Sequence, residues 1–261
     1  MNKGISFYFG YKIEPKKRVK MIKDAGFDCV ITSADKRFNK QNGTIRNQVK
    51  LFKKVGLKLS SLHATYKDNE LHNFFLDNKI GDKIEKGIIN DLKIAKKYGF
   101  SCVVVHLKEE ISEIGITRIK RILNVCEELD VPLAIENIDY QYLFVELFNS
   151  IEHKYMRFCY DSGHNNFFDK EFDYFSKYGD KLICLHLHDN DGTDDLHTLN
   201  RYGTIEWEDV ARGLSKCNEV NLDYELIMRV KGKFDAKGAL DECYKQACEL
   251  EEAILKFKEV S

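Results

Sequence analysis

The sequence has no long hydrophobic run, no excess charge of either sign, no closely paired cysteines and no linker. Each absence removes a class of protein. The aliphatic runs are as short as Val103-Val104-Val105, so no segment is a candidate for crossing a bilayer. Lys+Arg 41 against Asp+Glu 42 leaves a net charge of −1. That balance argues against a global electrostatic binder of nucleic acid, though it leaves room for a local basic patch. Hydrophobic residues at 43% exclude a disordered chain. The apolar stretch after Met1-Asn2-Lys3-Gly4 is too brief for the core of a signal peptide. The expectation is a soluble, cytoplasmic protein with no membrane partner.

Cysteine is present, at positions 29, 102, 126, 159, 184, 217, 243 and 248, but never as Cys-x-x-Cys. In a cytosolic chain such thiols are expected to be reduced, with Cys102, Cys159 and Cys184 acting as small core residues. The chain also lacks Pro/Gly/Ser-rich tracts and low-complexity segments. Residues 1–261 therefore read as one domain.

What is present is a repeating unit. Short apolar runs at 5–9, 27–31, 57–62, 102–105, 133–135, 158–160, 182–187 and 224–230 alternate with amphipathic charged stretches. The last stretch carries Leu240, Cys243, Ala247, Leu250, Ile254 and Phe257 at helical spacing. Ile80, Ile84, Ile88, Leu92 and Ala95 repeat the pattern. Gly26, Gly56, Gly99 and Gly179 stand where such helices should stop, because glycine accepts the left-handed cap conformation. The clusters Lys16-Lys17-Arg18, Lys53-Lys54 and Lys96-Lys97 are solvated helix faces. Eight strand–helix units predict a single (β/α)₈ TIM barrel. A doubly wound sheet is the weaker alternative, since no Gly-x-Gly-x-x-Gly follows the first run.

In such a barrel, functional residues lie at the C-terminal ends of the strands. The runs end in His63, His106, Glu136, Asp161 (with His164 three residues on) and His186, followed by His188, Asp195 and His197. Strand parity places Cys184, His186 and His188 toward the barrel axis, with Leu185 and Leu187 against the helices. Any one histidine there is unremarkable. Together with two aspartates and a glutamate the set is the chemistry of a divalent-metal site, because buried acidic groups are costly without a cation. His72 and His153 lie outside strand ends and receive no role.

The stretches His186-Leu187-His188-Asp189-Asn190-Asp191-Gly192, Asp194-Asp195-Leu196-His197 and Tyr202-Gly203-Thr204-Ile205-Glu206-Trp207 resemble the xylose-isomerase-like barrel superfamily. So does Asp161-Ser162-Gly163-His164. That group contains sugar phosphate isomerases/epimerases and the endonuclease IV family of abasic-site repair enzymes. The resemblance covers nearly the whole chain. It implies that His164, Asp195 and His197 hold one ion, that Glu136, Asp161 and His186 hold another, and that His63 and His106 hold a third. Zinc or manganese is implied, in one to three ions. His188 and Tyr66 are implied substrate contacts. The ninth endonuclease IV ligand is a glutamate ending strand eight. With 224–230 as that strand, Arg229 takes its place, expected to point into the mouth beside Glu136 or Asp161. Glu225 shares its parity but lies four residues earlier, about 13 Å deeper at 3.3 Å per residue, and is not counted as a ligand.

The resemblance implies a metal-dependent sugar or sugar-phosphate isomerase/epimerase with Glu136 as base and Arg229 stabilising an enediolate or holding a phosphate. Two alternatives stand beside it. One is a zinc-dependent abasic-site phosphodiesterase acting on nucleic acid. The other is a barrel that binds sugar or phosphate without turnover.

Overall fold

The computed structural model describes residues 1–139, 141–227 and 233–260. The strands are β1 (Lys3–Ser6), β2 (Cys29–Ser33), β3 (Lys58–His63), β4 (Cys102–Val105), β5 (Leu133–Glu136), β6 (Met156–Asp161), β7 (Leu182–His186) and β8 (Leu222–Tyr224). All pair in parallel in the order β7-β6-β5-β4-β3-β2-β1-β8. The ring closes through a parallel bridge between Leu187 and Tyr224. There Leu187 N donates to Asp223 O at 2.8 Å, and Glu225 N donates to Leu187 O at 3.0 Å. The fold is the TIM barrel that the strand–helix alternation predicts. Among the described residues no helix is long and apolar enough to cross a membrane.

The helices form where the periodicity places them. They are α1 (Pro15–Asp24), α2 (Lys36–Asn42), α3 (Ile45–Val55), α4 (Lys79–Tyr98), α5 (Glu113–Leu129), α6 (Gln141–Ser150), α7 (Ser162–Phe168), α8 (Tyr174–Tyr178), α9 (Trp207–Ser215) and α10 (Ala236–Val260). On α10, Leu240, Cys243, Ala247, Leu250 and Ile254 are buried and Phe257 packs against them. On α4 the predicted stripe holds from Ile84 onward, while Ile80 is exposed. Gly56 and Gly99 cap α3 and α4 in the left-handed conformation, at φ 75° and 89°. Gly179 does not follow this pattern. Its φ is −60°, because the chain runs on through a short 3₁₀ turn over Gly179–Lys181.

Parity holds as well. Leu185 and Leu187 join the apolar layer under the helices, while Cys102, Val104, Ala134, Cys159 and Cys184 pack together inside the barrel. All eight cysteines are free thiols and six are buried.

The eighth strand is where the sequence reading fails. It runs from Leu222 to Tyr224, so the expected strand 224–230 meets it only at Tyr224; residues 225–227 are not strand, and 228–230 lie outside the described residues. Leu222 and Tyr224 pack outward against the helices, and Asp223 turns inward, accepting hydrogen bonds from Ser60 Oγ and Cys29 Sγ. The strand therefore ends one residue before Glu225. That residue stands at the mouth rather than deep in the lumen. Arg229 lies outside the described residues.

Candidate metal centre

The mouth is built by strand ends, each carrying its side chain inward. His63 ends β3 and Glu136 ends β5. Asp161 ends β6 and also caps α7, its Oδ1 accepting from His164 N at 2.7 Å. His186 ends β7, His106 follows β4, and Glu225 follows β8. Glu136, Asp161 and His186 are each 2% exposed or less.

Glu136 is the hub. Its Oε2 lies 3.1 Å from His106 Nε2, 3.1 Å from His186 Nδ1 and 3.7 Å from His63 Nε2, and its Oε1 lies 3.2 Å from His164 Nδ1. His186 Nδ1 is also 3.2 Å from Glu225 Oε2. Yet both oxygens of Glu136, and the Nδ1 atoms of His164 and His186, are buried without a hydrogen bond of acceptable geometry. Buried carboxylate and imidazole atoms that converge at this distance without well-formed hydrogen bonds suit a shared cation. His63 Nδ1 is committed to the carbonyl of Ala64 at 3.1 Å, a bond in which it must donate. That fixes its Nε2 as the atom facing the site, as ring-anchoring bonds do in metal centres.

Among the described residues four sets of potential ligand atoms, three of them sharing Glu136, converge closely enough to hold an ion: His63, His106 and Glu136; Glu136, Asp161, His186 and Glu225; His188, Asp195 and His197; and Glu136, Cys159 and His186. The first two contain the implied groupings, with Glu136 added to the His63 and His106 pair and Glu225 added to Glu136, Asp161 and His186. Glu225, expected about 13 Å deeper and left out of the ligand set, instead stands beside Glu136, Asp161 and His186, because strand eight is only three residues long and ends at Tyr224. In the third set His188 replaces His164. Its Nε2 is 3.1 Å from Asp161 Oδ1 and 3.6 Å from Asp195 Oδ1, and it is fully buried. His164 stands between groups, with Nε2 3.8 Å from Asp195 Oδ2. His188, expected as a substrate contact, is therefore packed among the ligand candidates and stacked 3.9 Å from the ring of His197. Tyr66 lies over the site, its ring 5.0 Å from His63 and 4.6 Å from His106.

The electrostatics favour positive charge here. Burial opposes ionisation of Glu136, but His106 and His186 hold its carboxyl well below the usual range. Burial disfavours charged His186, but Glu225 and Glu136 hold it well above its ordinary value. His197 is likewise opposed by burial and pushed up to about 9 by Asp195 and Glu225. The same acidic field would retain a divalent ion.

One buried carboxylate that the sequence did not single out shapes the third group. Asp189 Oδ1 accepts from Asn190 N (2.9 Å) and Ile205 N (3.2 Å). Its Oδ2 accepts from Arg201 N (2.9 Å) and Trp207 Nε1 (3.0 Å). The loop carrying Asp195 and His197 is wound around it. The motif stretch signalled this region; its role needed the fold.

A family model described as xylose isomerase-like TIM barrel matches residues 19–229. The chain belongs to that family. Among solved structures, a D-tagatose 3-epimerase-like protein superposes with TM-score 0.76 at 18% identity, covering 100% of this chain and 99% of that one. The D-psicose 3-epimerase of Clostridium cellulolyticum H10 gives 0.68 at 15%, covering 100% and 99%. The IolI protein with a zinc atom gives 0.73 at 14%, covering 98% and 99%. Curated relatives are more partial. An uncharacterised protein of Sinorhizobium fredii is 30% identical over 40% of this chain and 36% of its own length. One from Methanocaldococcus jannaschii is 26% identical over 55% and 58%. The chain thus matches less than two thirds of either relative. The candidate residues lie at the C-terminal ends of the strands, the face at which TIM barrels carry their active sites.

Proposed function

We propose that the protein is a metal-dependent isomerase or epimerase acting on a sugar or sugar phosphate by proton transfer next to a carbonyl. The observation that carries this is the placement of Glu136 and Glu225 on either side of His186 Nδ1, at 3.1 and 3.2 Å. Two carboxylates at one centre supply a base to take a proton and an acid to return one. Glu136 is fully enclosed. Glu225 borders an open cavity and is the natural partner to exchange its proton with substrate. Glu136, Asp161, His186 and Glu225 would hold a zinc or manganese ion, which supplies polarisation of the carbonyl when bound. The named epimerases among similar structures fit this reading. The test is solvent deuterium exchange into ketoses and ketose phosphates by metal-loaded protein. Absence of exchange across the panel rejects it.

A second reading rests on the two flanking ligand sets. Glu225 would add the ninth ligand to the eight implied by endonuclease IV, with His188 rather than His164 beside Asp195 and His197, and three ions there would support phosphodiester hydrolysis. Cleavage of an abasic-site duplex by protein holding three metal equivalents, without deuterium exchange into sugars, would select it.

A further inference from the structure

A cavity of about 440 Å³ opens beside His186 and Glu225 and runs under the loops after β1 and β2, past Tyr8, Asp35, Arg37 and Tyr66. Its wall carries an unusual ion pair. Arg37 Nε lies 3.2 and 3.3 Å from the two oxygens of Asp35, and Nη2 lies 3.0 Å from Oδ2. Nη2 also donates to the carbonyl of Tyr66 at 2.8 Å. The carboxylate is buried, caps α2 by accepting from Arg37 N at 2.6 Å, and has its own N–H on Ser33 Oγ at 3.1 Å. Burial works against its charge, but Arg37 keeps it below its ordinary range, so it stays ionised.

The pair is therefore neutral in sum and amphoteric. It presents acceptor oxygens and donor nitrogens side by side, which suits vicinal hydroxyls. It suits a phosphate poorly. Among the described residues lining the cavity, Arg37 is the one lysine or arginine, and its charge is already matched by Asp35. A dianion there would also face the carboxylates of Asp35 and Glu225.

Resting on the isomerase reading, we propose that the Asp35–Arg37 pair is the specificity determinant of this site, selecting an uncharged, monosaccharide-sized polyhydroxy carbonyl compound over its phosphate ester. Glu225 abuts the same cavity, so a sugar hydroxylated at one end and carbonyl-bearing at the other spans from the pair to the proposed acid–base carboxylates.

The test titrates manganese-loaded protein with D-ketohexoses and with their 6-phosphates, read by calorimetry. At least one free ketohexose is expected to bind tenfold or more tightly than its phosphate. Arg37→Gln, at an exposed side chain whose backbone N–H still meets Asp35, is expected to weaken free-sugar binding about tenfold. Asp35→Asn is expected to narrow the discrimination, with circular dichroism checking that α2 survives. Tighter binding of a phosphate that Arg37→Gln abolishes would make Arg37 an anion clamp and overturn the proposal, as would binding of neither panel. Deuterium exchange separates the two claims. Free sugars that bind without exchange remove the isomerase reading and leave the pair standing. Exchange confined to phosphates does the reverse.

Discussion

His197 donates its Nδ1–H to the backbone carbonyl of Glu225 at 2.9 Å. A carbonyl only accepts, so the tautomer is decided and Nε2 is turned toward Asp195 Oδ2, 2.9 Å away. The bond ties the loop after β7 to the end of β8. Ile227 N adds a second tie to the carbonyl of His197 at 3.1 Å, and His197 itself sits at φ 48°. A non-glycine residue held there is over-determined by its surroundings, as at many functional sites.

The third ligand set is expected to hold an ion of its own. His197→Ala should lower bound metal by about one equivalent, while Glu136→Ala should remove metal from the sets it joins. Elemental analysis of both variants after dialysis checks this. Identical metal content in both variants and the wild type would remove the assignment.

Glu225→Gln keeps the shape of the side chain and deletes its charge. Loss of anchoring partners alone lowers metal affinity 10- to 100-fold in comparable centres. Loss of a ligand should cost at least tenfold, with proton exchange lost in parallel. Competition against a chromogenic chelator measures the affinity. An unchanged constant would put Glu225 outside the centre.

Metal removal should destabilise the barrel. An ion that binds only the folded chain adds about 2.7 kcal/mol when free metal exceeds its dissociation constant a hundredfold. Melting scans with chelator, then with zinc or manganese restored, should show a fall and recovery in Tm. A chelator-insensitive Tm would contradict it.

Asp223 gives the fold a pH dependence. Burial pushes its carboxyl up to about 6 from 3.8, against hydrogen bonds from Ser60 and Cys29 that pull it down. The folded state therefore holds this proton more tightly than the unfolded chain. Its stabilising contribution is complete below about pH 4 and is lost as pH rises through about 6, roughly 3 kcal/mol in all. Asp223→Asn should lack this slope, so its stability relative to wild type should rise between pH 4 and 7. Urea unfolding across that range would show parallel curves if the carboxyl is not buried as described.

Gly163→Ala should be poorly tolerated. An added Cβ would fall 1.8 Å from Cε1 of His188, whose ring is fully buried and stacked on His197. Overpacking of this kind costs about 1–3 kcal/mol. A variant with unchanged urea midpoint and unchanged metal content would show that His188 can move aside.

Much of the site was legible because strand alternation is local. His63, His106, Glu136, Asp161 and His186 follow short apolar runs, and period two sends each inward. Glu225 was misplaced for an equally physical reason. The segment from Tyr224 through Leu226 and Ile227 has the apolar character of a strand, but among the described residues strand pairing stops at Tyr224. Strand length is set by the neighbours a strand can bond. β1 ends at Ser6 and pairs with Leu222, Asp223 and Tyr224, and among the described residues Leu187 bridges Tyr224 from the other side.

The sequence by itself determined the eightfold alternation, the inward faces and the identity of the side chains that crowd the mouth, since these depend on spacing along one chain. The tertiary structure decided which of them lie together. It moved His188 from the substrate to the company of Asp195 and His197, brought Glu225 up beside His186, and set Asp35 against Arg37 in the neighbouring cavity. Those relations depend on barrel closure, on the register of β8 and on a loop wound around the Asp189 carboxylate. Each joins residues far apart in sequence through hydrogen bonds that no local pattern encodes.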